Sequence, residues 1–189
     1  MAEVLIVYAT LLGHTRRIGE RVAEALHAAG CAPVLADVDA APALDGFDAA
    51  IVGAPVRSAS FLATVERYVR VHAVDLARLP SGLYAVSSPD EHDDRAVRHE
   101  LDRYIRELLG AARWHPDVIA SFAGVRPYTH LGLAHQVLGS EAAQPQPGAA
   151  EGSAATDWDA VAGFVEAFLH HLRRADATVD VSSARRAST

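Results

Sequence analysis

The chain has 189 residues, half of them hydrophobic, with 24 acids against 17 bases and a formal net charge of −7. That length fits one ordinary domain with a full core, and that charge argues against a nucleic-acid binder, which needs a basic face for phosphates. Every base is an arginine, so a lysine-dependent P-loop and a Schiff base with pyridoxal phosphate are excluded.

Residues 3–9, EVLIVYA, are a β-rich run of the kind buried on both faces of a parallel sheet. They read as the first core strand rather than a signal peptide, because no basic stretch and long apolar segment open the chain. Residues 14–29 place Ile18, Val22, Ala25, Leu26 and Ala29 at helical spacing, and Gly30 supplies a stop. Cys31 stands alone, which excludes an internal disulfide and a cysteine zinc cluster; a small, half-buried residue is expected there. Residues 33–38 and 48–56 are the second and third strands, with only a turn between them.

Residues 60–72 carry Phe61, Val65, Tyr68, Val69 and His72 at helical spacing. Residues 82–88 are the fourth strand. Residues 92–110 are an amphipathic helix with Val97, Leu101, Tyr104, Ile105 and Leu108 on one face, and residues 117–123 are the fifth strand. The last helix is expected from about Asp157 to about Arg174, with Thr156 or Asp157 as its N-cap. Residues 125–155 lack periodicity and end in an alanine-, proline- and glutamine-rich run, expected as an irregular, partly mobile loop. Residues 1–174 are thus expected to be one domain, and 175–189 a disordered tail. The alternation predicts an α/β fold: a doubly wound, five-stranded parallel sheet of order 2-1-3-4-5 with helices on both faces.

In such a sheet, ligands bind beyond the carboxyl ends of the strands, where the strand order reverses. Residues 10–15, TLLGHT, occupy that place after the first strand. A helix start offers unpartnered N–H groups and a dipole that favours an anion. Thr10 and Thr15 add hydroxyls, and Gly13 permits a backbone conformation that a side chain opposes. These parts suit a phosphate and need no lysine. The glycines of a dinucleotide fingerprint are absent. A plain strand-to-helix turn capped by Thr10 or Thr15 is the competing reading.

The stretch YATLLGHTRRIGE resembles the phosphate loop of flavodoxin-like proteins, Ser/Thr-x-x-Gly-x-Thr, whose ligand is flavin mononucleotide (FMN). More narrowly, the segments FDAAIVGAPVRSASF, VERYVRVHAVDLARLPSGLYAVS, ARWHPDVIASFAGVRPY and TDWDAVAGF, in that order, resemble the flavodoxin-fold protoporphyrinogen dehydrogenases that pass electrons to menaquinone. The resemblance implies three flavin-contacting loops. Thr10, Leu11, Leu12, Gly13, His14 and Thr15 would hold the phosphate. Ala54, Pro55, Val56, Arg57 and Ser58 would form the second loop, and Ser87, Ser88 and Pro89 would open the third. It also implies a porphyrinogen-like substrate and a quinone or a redox partner protein as acceptor. Arg57 and Arg126 are the candidates for meeting substrate carboxylates.

The chain departs from that family after the third strand, where Ser58 and Ala59 replace aromatic residues, and across 125–155. Phe61 falls on an apolar helical face and is expected in the core. No metal is expected, because His92 and His99 lie seven apart, His170 and His171 are adjacent, and no pair has the i, i+4 spacing of zinc hydrolases. The acids Asp90, Glu91, Asp93 and Asp94 lack the spacing of a calcium loop. No apolar run approaches the roughly 18 residues of a membrane span, so a cytoplasmic protein is expected, with peripheral contact at the inner membrane face left open. Two other functions stand beside the enzyme: an electron-carrier flavodoxin serving a partner, and a flavin-free binding module on the same fold.

Overall fold

The structure, a computed structural model, describes residues 1–57, 60–87, 95–123 and 156–186. The segment expected to be irregular, 125–155, lies outside them. β1 (Glu3–Tyr8) leads through α1 (His14–Ala28) to β2 (Ala32–Asp37), and β3 (Ala49–Arg57) follows with turns between. The two-residue β4 (Ser60–Phe61), α2 (Ala63–Val71) and α3 (Ala73–Leu76) come next. β5 (Ser81–Ser87), α4 (Arg95–Ala112), β6 (Val118–Ala123) and α5 (Trp158–Arg186) complete the order. The main sheet runs β2-β1-β3-β5-β6, all parallel. With β4 set aside, this is the expected order of five strands. It is the fold class read from the sequence.

Period-two alternation sorts the strand side chains into two cores. Leu5, Val7, Val52, Leu83 and Ala85 face α2, α3 and α4, where Val65, Val69, Leu76, Leu101 and Ile105 meet them. Val4, Ile6, Ile51, Tyr84 and Phe122 face α1 and α5 through Ile18, Val22, Phe164 and Phe168. Each such aliphatic side chain, fully buried, contributes roughly 1.5–3 kcal/mol before entropy is counted. Among the described residues, no helix is long and apolar enough to cross a membrane.

Two helix boundaries differ from expectation. The helix expected over 60–72 starts only at Ala63, because Ser60 and Phe61 turn back on β3 as an antiparallel pair, Val56 opposite Phe61 and Arg57 opposite Ser60. The Ser60 hydroxyl donates to the Arg57 carbonyl at 3.2 Å. Phe61 is buried, as expected, but from a strand; its i, i+4 distance to Val65 imitates a helical face. The last helix does not stop near Arg174. It continues to Arg186, through part of the expected tail, because residues 175–186 contain neither glycine nor proline to break the ladder. Its start is as read: the Asp157 carboxylate accepts from the Ala160 N–H at 2.9 Å, an N-cap bond.

The stretch WHPD, residues 114–117 just before β6, fastens the far end of the sheet. Trp114 is fully buried, and its Nε1–H donates to the Ser81 hydroxyl at 2.9 Å. The Ser81 N–H donates to the Asp117 carboxylate, and the Asp117 N–H donates back to the Ser81 carbonyl, at 2.8 and 2.7 Å. These bonds set the start of β6 against the start of β5.

The tightest packing lies at Gly53, in the middle of β3. A Cβ there would come within 2.2 Å of the Tyr84 ring. Gly53→Ala is expected to destabilise the protein by roughly 1–3 kcal/mol, the usual cost of overpacking, read as a lower urea midpoint at unchanged slope. An unchanged midpoint would show that the ring moves aside freely.

Candidate functional site

The carboxyl ends of β1, β3, β5 and β6 share one edge of the sheet. From β1 the chain steps outward to β2, then crosses back to β3 on the other side. The strand order therefore reverses between β1 and β3, and a crevice is expected there. The loop leaving β1 is tied into it at once, since the Ala9 N–H donates to the Gly53 carbonyl at 3.1 Å.

The turn that follows is closed by Thr10, whose hydroxyl oxygen accepts from the Gly13 N–H at 2.9 Å. Gly13 stands at φ 86°, ψ −10°, in the left-handed region. A Cβ there would touch nothing within 4 Å, so conformation and not space calls for glycine. α1 begins at the next residue with no side-chain cap and no acid in its first turn. Two other helix starts carry an acid: Asp157 caps α5, and Glu66 sits in the first turn of α2. The first N–H groups of α1 are left without intrahelical acceptors, at the positive end of a 15-residue helix. That donor set fits an anion.

The other residues of the loop divide by burial. Thr15 is 2% exposed, and its carbonyl accepts a bond from the buried Tyr84 hydroxyl at 3.1 Å. Leu11 and Leu12 are 51% and 64% exposed, so their apolar side chains face solvent. His14 is half-buried, and burial first, then the Arg17 guanidinium, holds its pKa below the ordinary 6.5. This favours the neutral ring; a phosphate beside it would pull the other way. The Arg17 guanidinium lies 5.7 Å from the Trp158 ring centroid, a cation–π contact from α1 to the start of α5. Its neighbours Arg16 and Arg21 instead pair with Glu20 and Glu24 on the exposed face.

The second and third expected loops are only partly described. Ala54, Pro55 and Val56 are buried in β3, so they offer a ligand main chain rather than side chains. Arg57 is exposed at the strand's end, on the hairpin with β4. Ser87 is buried at the end of β5. Ser58, Ser88, Pro89 and Arg126 lie outside the described residues.

Two features at this edge carried no sequence reading. Tyr84 reads as one more residue of an apolar strand, although a buried phenol needs a hydrogen-bond partner and so poses a question. The Arg17–Trp158 contact joins residues 141 positions apart and leaves no local signal.

An uncapped helix start at the switch point of a doubly wound parallel sheet defines an α/β protein of the flavodoxin-like class. A profile of the flavodoxin domain matches residues 5–139, and the chain belongs to that family. In sequence it is similar to protoporphyrinogen IX dehydrogenase (quinone) of Escherichia coli K12, 25% identical over 178 residues, covering 89% of this chain and 95% of that protein. It is also similar to the protein of the same name from Leishmania major, 27% identical over 172 residues, covering 87% of this chain and 73% of that one. Two solved flavodoxins share the fold. A short-chain flavodoxin associated with a bacterial microcompartment superposes with a TM-score of 0.56 at 13% identity, covering 91% of this chain and 99% of that one. The flavodoxin of Streptococcus pneumonia TIGR4 gives 0.54 at 16% identity, covering 89% and 99%.

Folding lowers the affinity of His14 for its proton. The unfolded chain binds that proton more readily than the folded one, so His14 makes stability fall as pH drops below 6.5. An NMR titration is expected to place His14 below the histidines of the unfolded chain. Arg17→Gln, which removes the second cause, is expected to raise it. A His14 titrating at or above 6.5 in the free protein would contradict the described environment.

Proposed function

We propose that the protein is an FMN-dependent oxidoreductase of the protoporphyrinogen dehydrogenase kind, passing electrons from a tetrapyrrole-like substrate to a quinone or other acceptor. The observation that carries this reading is the start of α1, uncapped by any described side chain, behind a left-handed Gly13, at the switch point of the sheet. Membership of the flavodoxin family supports a flavin there, and the similarity along some nine-tenths of the chain supports the dehydrogenase.

The first-turn N–H groups of α1 would hold the phosphate. Thr10 would help: its oxygen is taken by the Gly13 N–H, but its own proton is free to donate. Arg17, in the first turn and without a carboxylate partner among the described residues, would add the charge that a lysine supplies elsewhere. The ends of β3 and β5 would face the ring through main chain, since Ala54, Pro55, Val56 and Ser87 bury their side chains. A bound flavin supplies the electron-transfer chemistry; the protein binds and orients it. Exposed Arg57 at the rim is suited to a substrate carboxylate, and Arg126 is a second candidate from sequence.

A second reading, an electron-carrier flavodoxin, is favoured by the net charge of −7, which suits docking on a basic partner. Turnover separates the two. The flavin-loaded protein is expected to oxidise protoporphyrinogen when a quinone is present. A stable one-electron semiquinone with no turnover would replace the enzyme by the carrier. Purified protein that remains colourless after FMN is added and the excess removed would leave only a flavin-free module.

Thr15→Ala and Gly13→Val test the loop. A β-branched residue forced to Gly13's left-handed φ costs roughly 1–2 kcal/mol, so FMN binding is expected to weaken about tenfold. Unchanged affinity in both variants would show that the phosphate lies elsewhere.

A further inference from the structure

The proposed flavin site rests on a side chain that does not touch it. Tyr84 projects from β5 and is fully buried, and Phe164 and Phe122 pack on its ring at 6.1 and 6.2 Å. It passes over β3 where Gly53 leaves room and under α1 where Gly19 does. A Cβ at Gly19 would come within 2.8 Å of its hydroxyl. The hydroxyl ends on the Thr15 carbonyl at 3.1 Å.

That acceptor has a particular meaning. The Thr15 carbonyl and the Arg16 N–H belong to one planar peptide and point in opposite directions. The carbonyl lies along α1, and the N–H points out of its first turn, toward the loop. A donor fixed on the carbonyl sets the tilt of the whole peptide, and with it the aim of that N–H. It also draws electron density toward the carbonyl and makes the N–H a better donor, as in any chain of polarised hydrogen bonds. Burial pushes the Tyr84 phenol pKa up, so the hydroxyl keeps its proton and remains a donor at any working pH.

We propose that Tyr84 is a positioning residue for the phosphate: it aims the Thr15–Arg16 peptide, and so selects flavins that carry a phosphate over those that do not. The inference rests on the flavin reading given above. Tyr84 also sits in the strand that opens the third expected loop, crosses the strand that carries the second, and is bonded to the first.

The test is the affinity of wild type and Tyr84→Phe for FMN and for riboflavin, which lacks the phosphate. Phenylalanine keeps the ring and its packing and removes only the hydroxyl. FMN is expected to bind about fivefold more weakly, as for the loss of one buried hydrogen bond, while riboflavin changes less than about twofold. A purely structural tyrosine would weaken both equally, and that result would overturn the inference. So would FMN affinity equal to wild type. Gly19→Ala displaces the hydroxyl from the opposite side and keeps the tyrosine, and the same FMN-selective loss is expected. Wild-type protein that takes up neither flavin would overturn the flavin reading, and this inference with it. Wild-type uptake with an unaltered Tyr84→Phe would overturn the inference alone.

Discussion

The structure depends on placing one large aromatic ring between a sheet and a helix that would otherwise pack directly. Tyr84 is flanked by two glycines from different elements, Gly53 beneath it and Gly19 above. Neither glycine has a positive φ; both are small because the ring occupies the space their side chains would need. The hydroxyl is satisfied by a helix carbonyl, so the burial of a polar group costs little net. The consequence is a defined height and tilt for the start of α1. A sheet and a helix joined only by aliphatic contacts would leave that tilt to averaged dispersion forces.

That definition matters because, among the described residues, the amino end of α1 has no side-chain cap and no acid in its first turn. Helix starts in proteins are commonly capped by Ser, Thr, Asp or Asn, and α5 follows that habit with Asp157. α1 does not. The Thr10 hydroxyl takes the Gly13 N–H and closes the turn before the helix. The open donors lower the helix's own stability and are suited to an anion. In a chain without lysine, the proposed phosphate site would rest mostly on this backbone, with Arg17 on Trp158 as the nearby cation.

The fold was legible because its signals are local. Buried parallel strands are short apolar runs, helices repeat Ile18–Val22 or Leu101–Ile105, and glycine and proline mark the joints. The glycine at residue 13 and its threonines were legible for the same reason, being six residues at a strand-to-helix junction. What escaped depends on distance in sequence. Phe61 keeps helical spacing with Val65, and only the pairing of Val56 with Phe61 reveals a strand. The continuation of α5 past Arg174 follows from a lack of breakers, which composition alone does not convert into a helix. Tyr84 and Thr15 are 69 positions apart, and nothing in either neighbourhood names the other.

The two ends of the proposed site are held by unrelated means. Tyr84 supports the phosphate end from inside the core shared with α1 and α5. The hairpin that ends β3 is supported from the opposite core. Phe61 packs edge-on against Tyr104 at 5.7 Å, and the Tyr104 hydroxyl donates to the Glu66 carboxylate, joining α4 to α2. Burial, then that carboxylate, pushes the Tyr104 phenol up to about 12, so the donor persists at working pH. Arg57 therefore stands on an anchored hairpin rather than a free loop. An arginine on a fixed base loses less entropy when it meets a carboxylate. Such an anchored cation at the rim is what the proposed dehydrogenase reading asks of Arg57, because a small acidic substrate must be oriented and not merely attracted.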